Sequence, residues 1–88
     1  MDRPLSQISL DLLQVFHQVA KFRSMTLASK ALFITQPAVS HAVAQLESQL
    51  GYLVFERVGR KLVLTDEGKA LFKTTRDVVS ALTDGERS

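Results

Sequence analysis

Apolar residues recur along this chain at two periods, and the change of period divides it. Leu12, Leu13, Phe16, Val19 and Ala20 fall at helical spacing, with Ser9 placed as an N-cap and Asp11 in the first turn. This first helix is expected to end near Phe22, where "RS" interrupts it. Ser24 then caps a second, short helix through Leu32, whose expected inner side is Leu27, Ala28, Ala31 and Leu32. "FIT" makes a tight turn with no Gly or Pro of its own. Thr35 caps a third helix, where Pro37 is tolerated because first-turn N–H groups have no intrahelical partner. Val39, Val43, Leu46 and Leu50 form its core stripe, and Gly51 is its C-cap.

Beyond Gly51 the period shortens. "YLVFERVGRKLVLT" offers two short β-rich runs, Val54–Arg57 and Leu62–Thr65, joined by a Gly-containing turn. Thr65, followed by Asp66 and Glu67, starts a fourth helix expected to reach about Leu82, with "TDGERS" frayed beyond it. The order predicts a mainly α fold: a winged helix-turn-helix with a three-helix core and a two-stranded wing, then a long fourth helix. The wing closes the unit of residues 1–65, and residues 66–88 make the long helix and its end.

The third helix has an unusual outer surface. Opposite its apolar stripe stand Pro37, Ala38, Ser40, His41, Ala44, Gln45 and Ser48, where a solvated helix would carry Lys and Glu. A DNA major groove is about 12 Å wide, so a helix entering it needs short side chains near the backbone and polar groups near base edges. This face meets both needs.

Composition narrows the classes. At 88 residues, 45% hydrophobic and 23% charged, the chain is one folded domain, or one domain plus an appendage. It has no cysteine, which removes disulfides and thiolate metal sites. No apolar run approaches the roughly 20 residues of a membrane span, and "MDRPLSQ" lacks the apolar core of a secretion signal. A cytoplasmic protein without a membrane partner is the expectation.

Net charge is only +2, but its distribution is uneven. Between Ala31 and Glu56 there is no Lys or Arg; the densest basic cluster is "RVGRK", Arg57 to Lys61. Cations therefore flank the third helix without sitting on it. That arrangement suits a polyanion, with ordinary solvated charge as the alternative.

The run "SMTLASKALFITQPAVSHAVAQLESQLGYLVFERVGRKLVLTDEG" strongly resembles the N-terminal domain of LysR-type transcriptional regulators. Its landmarks are Phe16, Ala20, Ser24, Thr26, Ala28 and Leu32, then "TQPAVS", Leu46-Glu47 and Leu50-Gly51. Phe55, Arg57, Leu64-Thr65 and Gly68 complete the register. The resemblance implies a bacterial regulator with a DNA-binding domain in residues 1–65 and a linker or dimerisation helix in residues 66–88, which pairs two copies so that the protein binds DNA as a dimer. It also implies a larger effector-binding domain, so the 88 residues are expected to be the DNA-binding half, and a small-molecule effector would act only through that absent C-terminal domain. Four positions depart from the family's habit. Arg23 replaces a small residue, Ser29 stands for Ala, Thr35 for Ser, and His41 for a frequent Arg.

Roles follow from side-chain chemistry. Gln36 can bond adenine N6 and N7 together, Pro37 and Ala38 suit a thymine methyl, and Ser40 and His41 offer donors to base edges or phosphate. The alternative roles are fixing the first turn for Pro37 and plain surface residues for Gln36 and His41. Thr35, Ser24 and Thr26 start helices whose free N–H groups suit phosphate. Arg57, Arg60 and Lys61 are candidates for the DNA backbone or minor groove, although Arg57 could instead pair with Glu47. On the fourth helix Leu71, Phe72, Thr75, Val78, Val79 and Leu82 make a broad stripe. A dimer partner is the favoured cover, packing within the chain the alternative.

An enzyme is not expected. His17 and His41 are the only histidines, lie on different helices, and have no Cys or acid cluster beside them, so neither metal nor cofactor is implied. A winged helix that binds another protein is the second class, and basic flanks around a neutral face favour DNA over it. Regulators of the multiple-antibiotic-resistance type fit the architecture but lack these landmarks.

Overall fold

Each of the first three helices begins where a hydroxyl takes over an orphan amide. In the computed structural model, which describes residues 8–87 and the side chains of residues 8–77, α1 spans Leu10–Phe22, α2 Met25–Leu32 and α3 Gln36–Leu50. Ser9 Oγ accepts from Asp11 N–H at 3.2 Å, Ser24 Oγ from Leu27 N–H at 3.1 Å, and Thr35 Oγ1 from Ala38 N–H at 3.2 Å. The three helices end in left-handed residues: Arg23 (φ 54°), Phe33 (φ 58°) and Gly51 (φ 84°). Only the last is a glycine, so the first two turns carry backbone strain.

The strands are β1 Phe55–Val58 and β2 Lys61–Leu64, antiparallel, with Phe55 opposite Leu64 and Val58 opposite Lys61. Both sit one residue off the expected Val54–Arg57 and Leu62–Thr65. The cause is the two-residue loop Gly59–Arg60: Gly59 takes φ 64°, the positive value tight hairpin loops require, and pairing extends to its edge. The helix α4 spans Asp66–Arg87. Its backbone stays helical past Leu82, where fraying was expected. The single Gly85 weakens a helix without forcing it to stop.

The core is the meeting of α1, α2 and α3, closed by the wing. Phe16, Val19, Ala28, Val39, Leu46 and Val54 are completely buried. The stripe Val39, Val43, Leu46 and Leu50 faces inward as its spacing requires. In α2 the inner side is rotated from the expected one: Leu27 is 48% exposed and Ala31 is exposed, while Ala28 and Ser29 are buried and Met25 and Leu32 pack against the core. Ser29 is admitted because its Oγ donates to Thr26 C=O at 2.7 Å, satisfying a polar group that would otherwise be costly to bury.

The start of α4 also belongs to this core. Leu71 and Thr75 are 5% and 1% exposed, and Phe72 lies edge-on to Phe16 at 6.4 Å and stacks on His17 at 5.1 Å. Leu71, Phe72 and Thr75 therefore have a home within the chain, contrary to the reading that left the whole stripe to a partner. Three helices leave α1 open on one side, and α4 covers it. Val78, Val79 and Leu82 lie outside the described side chains, as the "MDRPLSQ" terminus lies outside the described residues.

Thr65 and Gly68 fix how α4 leaves the wing. Thr65 Oγ1 donates to Leu53 C=O at 2.7 Å and accepts from Gly68 N–H at 2.9 Å, while Thr65 N–H donates to Val54 C=O at 3.0 Å. The chain passes so close that a Cβ at Gly68 would collide with the Val54 carbonyl oxygen and lie 3.1 Å from Leu64 Cδ2. Gly68→Ala is expected to destabilise the fold by at least about 1–3 kcal/mol, the scale of overpacking, read as a lowered urea midpoint.

His17 gives a pH signature. Burial, and then the Lys21 charge, lower its pKa from the ordinary 6.5, and its buried Nδ1 has no hydrogen-bond partner among the described residues. The unfolded chain thus takes up a proton near pH 6.5 that the folded chain accepts only at lower pH. Stability is full above 6.5 and is lost as pH falls from there toward the folded value. His17→Gln should flatten the thermal-midpoint profile across that interval; an unchanged profile would place the titration elsewhere.

Candidate nucleic-acid interface

Burying Val39, Val43, Leu46 and Leu50 turns the rest of α3 outward by helical geometry. Gln36, Pro37, Ala38, Ser40, His41, Ala44, Gln45 and Ser48 are all exposed. They form one continuous, nearly neutral surface. The α3 N-terminus sits at its leading end, where Thr35 Oγ1 takes the Ala38 amide and Thr35 C=O the Val39 amide; Pro37 has no N–H, so within the first turn Gln36 N–H is left without an intrahelical acceptor.

Beside this face runs a cleft of ≈ 550 Å³. It gathers residues the sequence scatters: Ser24 and Thr26 from the N-cap and first turn of α2, Gln36 from α3, and Arg57, Arg60 and Lys61 from the wing. Thr35, Pro37, Ala38, Ser40 and His41 are not part of its lining and stay on the open face. Arg23 also lines it; in the sequence it registered only as a departure from the family's habit, because nothing local shows which way a helix-terminal side chain turns.

The wing is fastened to α3 by a carboxylate. Glu47 Oε2 accepts from Val54 N–H at 2.8 Å and Phe55 N–H at 3.4 Å. Glu47, weighed as a partner for Arg57, thus serves the β1 backbone, and Arg57 lies in the exposed part of the hairpin. A second feature escaped the sequence reading. Phe33, the left-handed residue of the turn between α2 and α3, is 94% exposed, although an aromatic residue in a tight turn reads most naturally as core.

Among the described residues no group of three or more His, Cys, Asp or Glu is placed to hold a metal ion. None of the described helices is long and apolar enough to cross a membrane.

Comparison with known proteins places this arrangement. Residues 10–69 match the family described as "Bacterial regulatory helix-turn-helix protein, lysR family". The RuBisCO operon transcriptional regulator of Allochromatium vinosum is 42% identical over 79 residues, covering 90% of this chain and 26% of that protein. The glycine cleavage system transcriptional activator of Escherichia coli (strain K12) is 42% identical over 78 residues, covering 89% and 26%. The chain thus spans about a quarter of the length of these curated relatives. Among solved structures, the BenM DBD/catB site 1 DNA complex superposes with a TM-score of 0.83 at 29% identity, over 91% of this chain and 89% of that one. The helix caps from Ser24 to Thr65, the α3 stripe, the wing and Gly68 all fall inside the matched span, and the chain belongs to the lysR family of bacterial regulatory helix-turn-helix proteins.

Proposed function

We propose that this chain is a sequence-specific binder of double-stranded DNA in a transcriptional regulator. In this reading α3 enters the major groove and the wing lies on the backbone or minor groove. The observation that carries it is the juxtaposition of the neutral, short-chained α3 face with a cleft rimmed by cations. A protein ligand would gain little from that division of charge. The relatives' names as transcriptional regulators and the DNA held by the BenM domain support the same reading, as they support a cytoplasmic regulator rather than an enzyme.

Gln36, Pro37, Ala38, Ser40 and His41 are the proposed base-contacting set; Ser24, Thr26, Thr35, Arg57, Arg60 and Lys61 are the proposed backbone set. Gln36→Ala should weaken a specific site by about 1–3 kcal/mol while leaving random duplex nearly unaffected. Arg60→Ala and Lys61→Ala should weaken all sequences and each reduce the salt slope by about 0.9. Fluorescence titrations of specific and random duplexes across a salt series measure both. Equal losses on both DNAs for Gln36→Ala would remove it from the base-reading set.

We also propose a homodimer through α4, with two copies reading an interrupted palindrome. Residues 66–88 act as the linker in this scheme, although its first turns complete the core of the unit formed by residues 1–65. With Leu71, Phe72 and Thr75 committed within the chain, the interface falls to the sequence continuation of the stripe, Val78, Val79 and Leu82. Joining two modest half-site affinities raises affinity without new base contacts. Val78→Asp should therefore give a monomer in sedimentation at high micromolar concentration and weaken full sites far more than half-sites. A wild-type chain that sediments as a monomer, with full-site binding indifferent to Val78→Asp, would overturn this.

A further inference from the structure

Arg23 has no part in the reading above, yet its placement is costly. It ends α1 in the left-handed region, φ 54° and ψ 34°, with its N–H on Val19 C=O at 2.7 Å. Glycine would hold that conformation without strain. The chain instead carries its longest cation there, and the side chain lines the cleft whose rim bears Arg57, Arg60 and Lys61.

Four cations thus converge from the end of α1, from β1, from the hairpin loop and from β2. No carboxylate lines the cleft. Arg23 also borders a neighbouring depression that contains Glu56 and Asp66, but no ion pair engages it among the described residues. Like charges gathered around one cleft repel, and an anion seated among them relieves the repulsion. The first turn of α2 lies at the same place. Ser24 Oγ takes the Leu27 amide, and the Met25 and Thr26 amides have no acceptor within the helix.

We infer that Arg23 is a phosphate-binding residue, and that the cleft clamps one phosphodiester of the duplex between Arg23 and the α2 N-terminus on one side and the wing cations on the other. This rests on the DNA-binding reading and adds a contact to it. Gln36 lines the same cleft, so a phosphate held there fixes the register in which the start of α3 meets the base edges. Arg23 positions the helix and reads no base itself.

Three chains test this: wild type, Arg23→Gly and Arg23→Lys, each titrated with specific and random duplex over a salt series and melted without DNA. Arg23→Gly relieves the left-handed strain, so its thermal midpoint should be equal or higher. Its binding should nevertheless fall about 3- to 10-fold on every sequence, with the salt slope smaller by about 0.9. Arg23→Lys should keep most of the slope. An unchanged slope in Arg23→Gly overturns the assignment while leaving the DNA-binding reading intact. A loss confined to the specific site overturns it too, since that would mark a base contact. A wild-type chain that binds no duplex at any salt fails the underlying reading itself, a result distinct from both.

Discussion

The Glu47 carboxylate on the first amides of the wing is the contact on which the geometry of this surface depends. A two-stranded hairpin is marginal alone in water, and this one has a single buried residue on each strand, Phe55 and Leu62. Its orientation must come from outside. Glu47 supplies it from α3, chiefly through the 2.8 Å bond from Val54 N–H, a charged hydrogen bond of a class that contributes about 1.5–3 kcal/mol, with the 3.4 Å contact from Phe55 N–H as a weaker second. On the other side Thr65 ties the exit of the hairpin to the Leu53 and Val54 carbonyls. The helix that presents the neutral face and the hairpin that presents the cations are thereby held as one body. Their spacing is fixed before any ligand arrives.

The same economy governs α4. A domain of this size has little core to share, and Phe16 is its hub, completely buried, 5.3 Å from Phe55 and 6.4 Å from Phe72. Because Phe72 and Leu71 come from α4, the direction of the long helix is set by packing against α1 and not by a flexible joint. Gly68 permits the close passage beside Val54 that this direction requires. Whatever pairs with the distal part of α4 would thus be coupled to the placement of α3 through a continuous set of packed side chains. A protonated His17 would disturb that set at its junction, since the ring lies against Phe72.

Much of this was legible because local chemistry determined it. The caps Ser9, Ser24 and Thr35 and the stripe of α3 involve residues within a few positions of one another, and the structure places them where their spacing predicts. Reading failed where the deciding partner was distant. The inner side of α2 depends on which way the helix rolls against α1 and α3, and two overlapping apolar faces, one through Leu27 and one through Met25, were both available. The early α4 stripe has the same composition whether it meets α1 or a second chain. Glu47, Thr65 and Gly68 were recognisable as family landmarks, but their reasons lie in contacts across 7 to 14 positions that no local pattern displays.

The separation of charge from α3, the helix proposed to read base edges, has a physical rationale. A lysine on α3 would attract any phosphate at any register, adding affinity on all sequences and narrowing the gap between right and wrong sites. With α3 uncharged apart from Glu47, which faces the wing, the surface proposed to face the groove would offer only short-range contacts. Those depend on base identity. In the proposed mode the cations at the α1 terminus and on the wing would act at longer range, with an effect that weakens with salt, and would concentrate the chain on DNA without choosing a sequence. Because Glu47 and Thr65 hold the two surfaces in register, a phosphate captured in the cleft would deliver the α3 N-terminus to the groove edge in one orientation. In the proposed mode discrimination would then depend on the fit of small side chains such as Ala38 and Ser40, where an added methylene would open the approach and remove it.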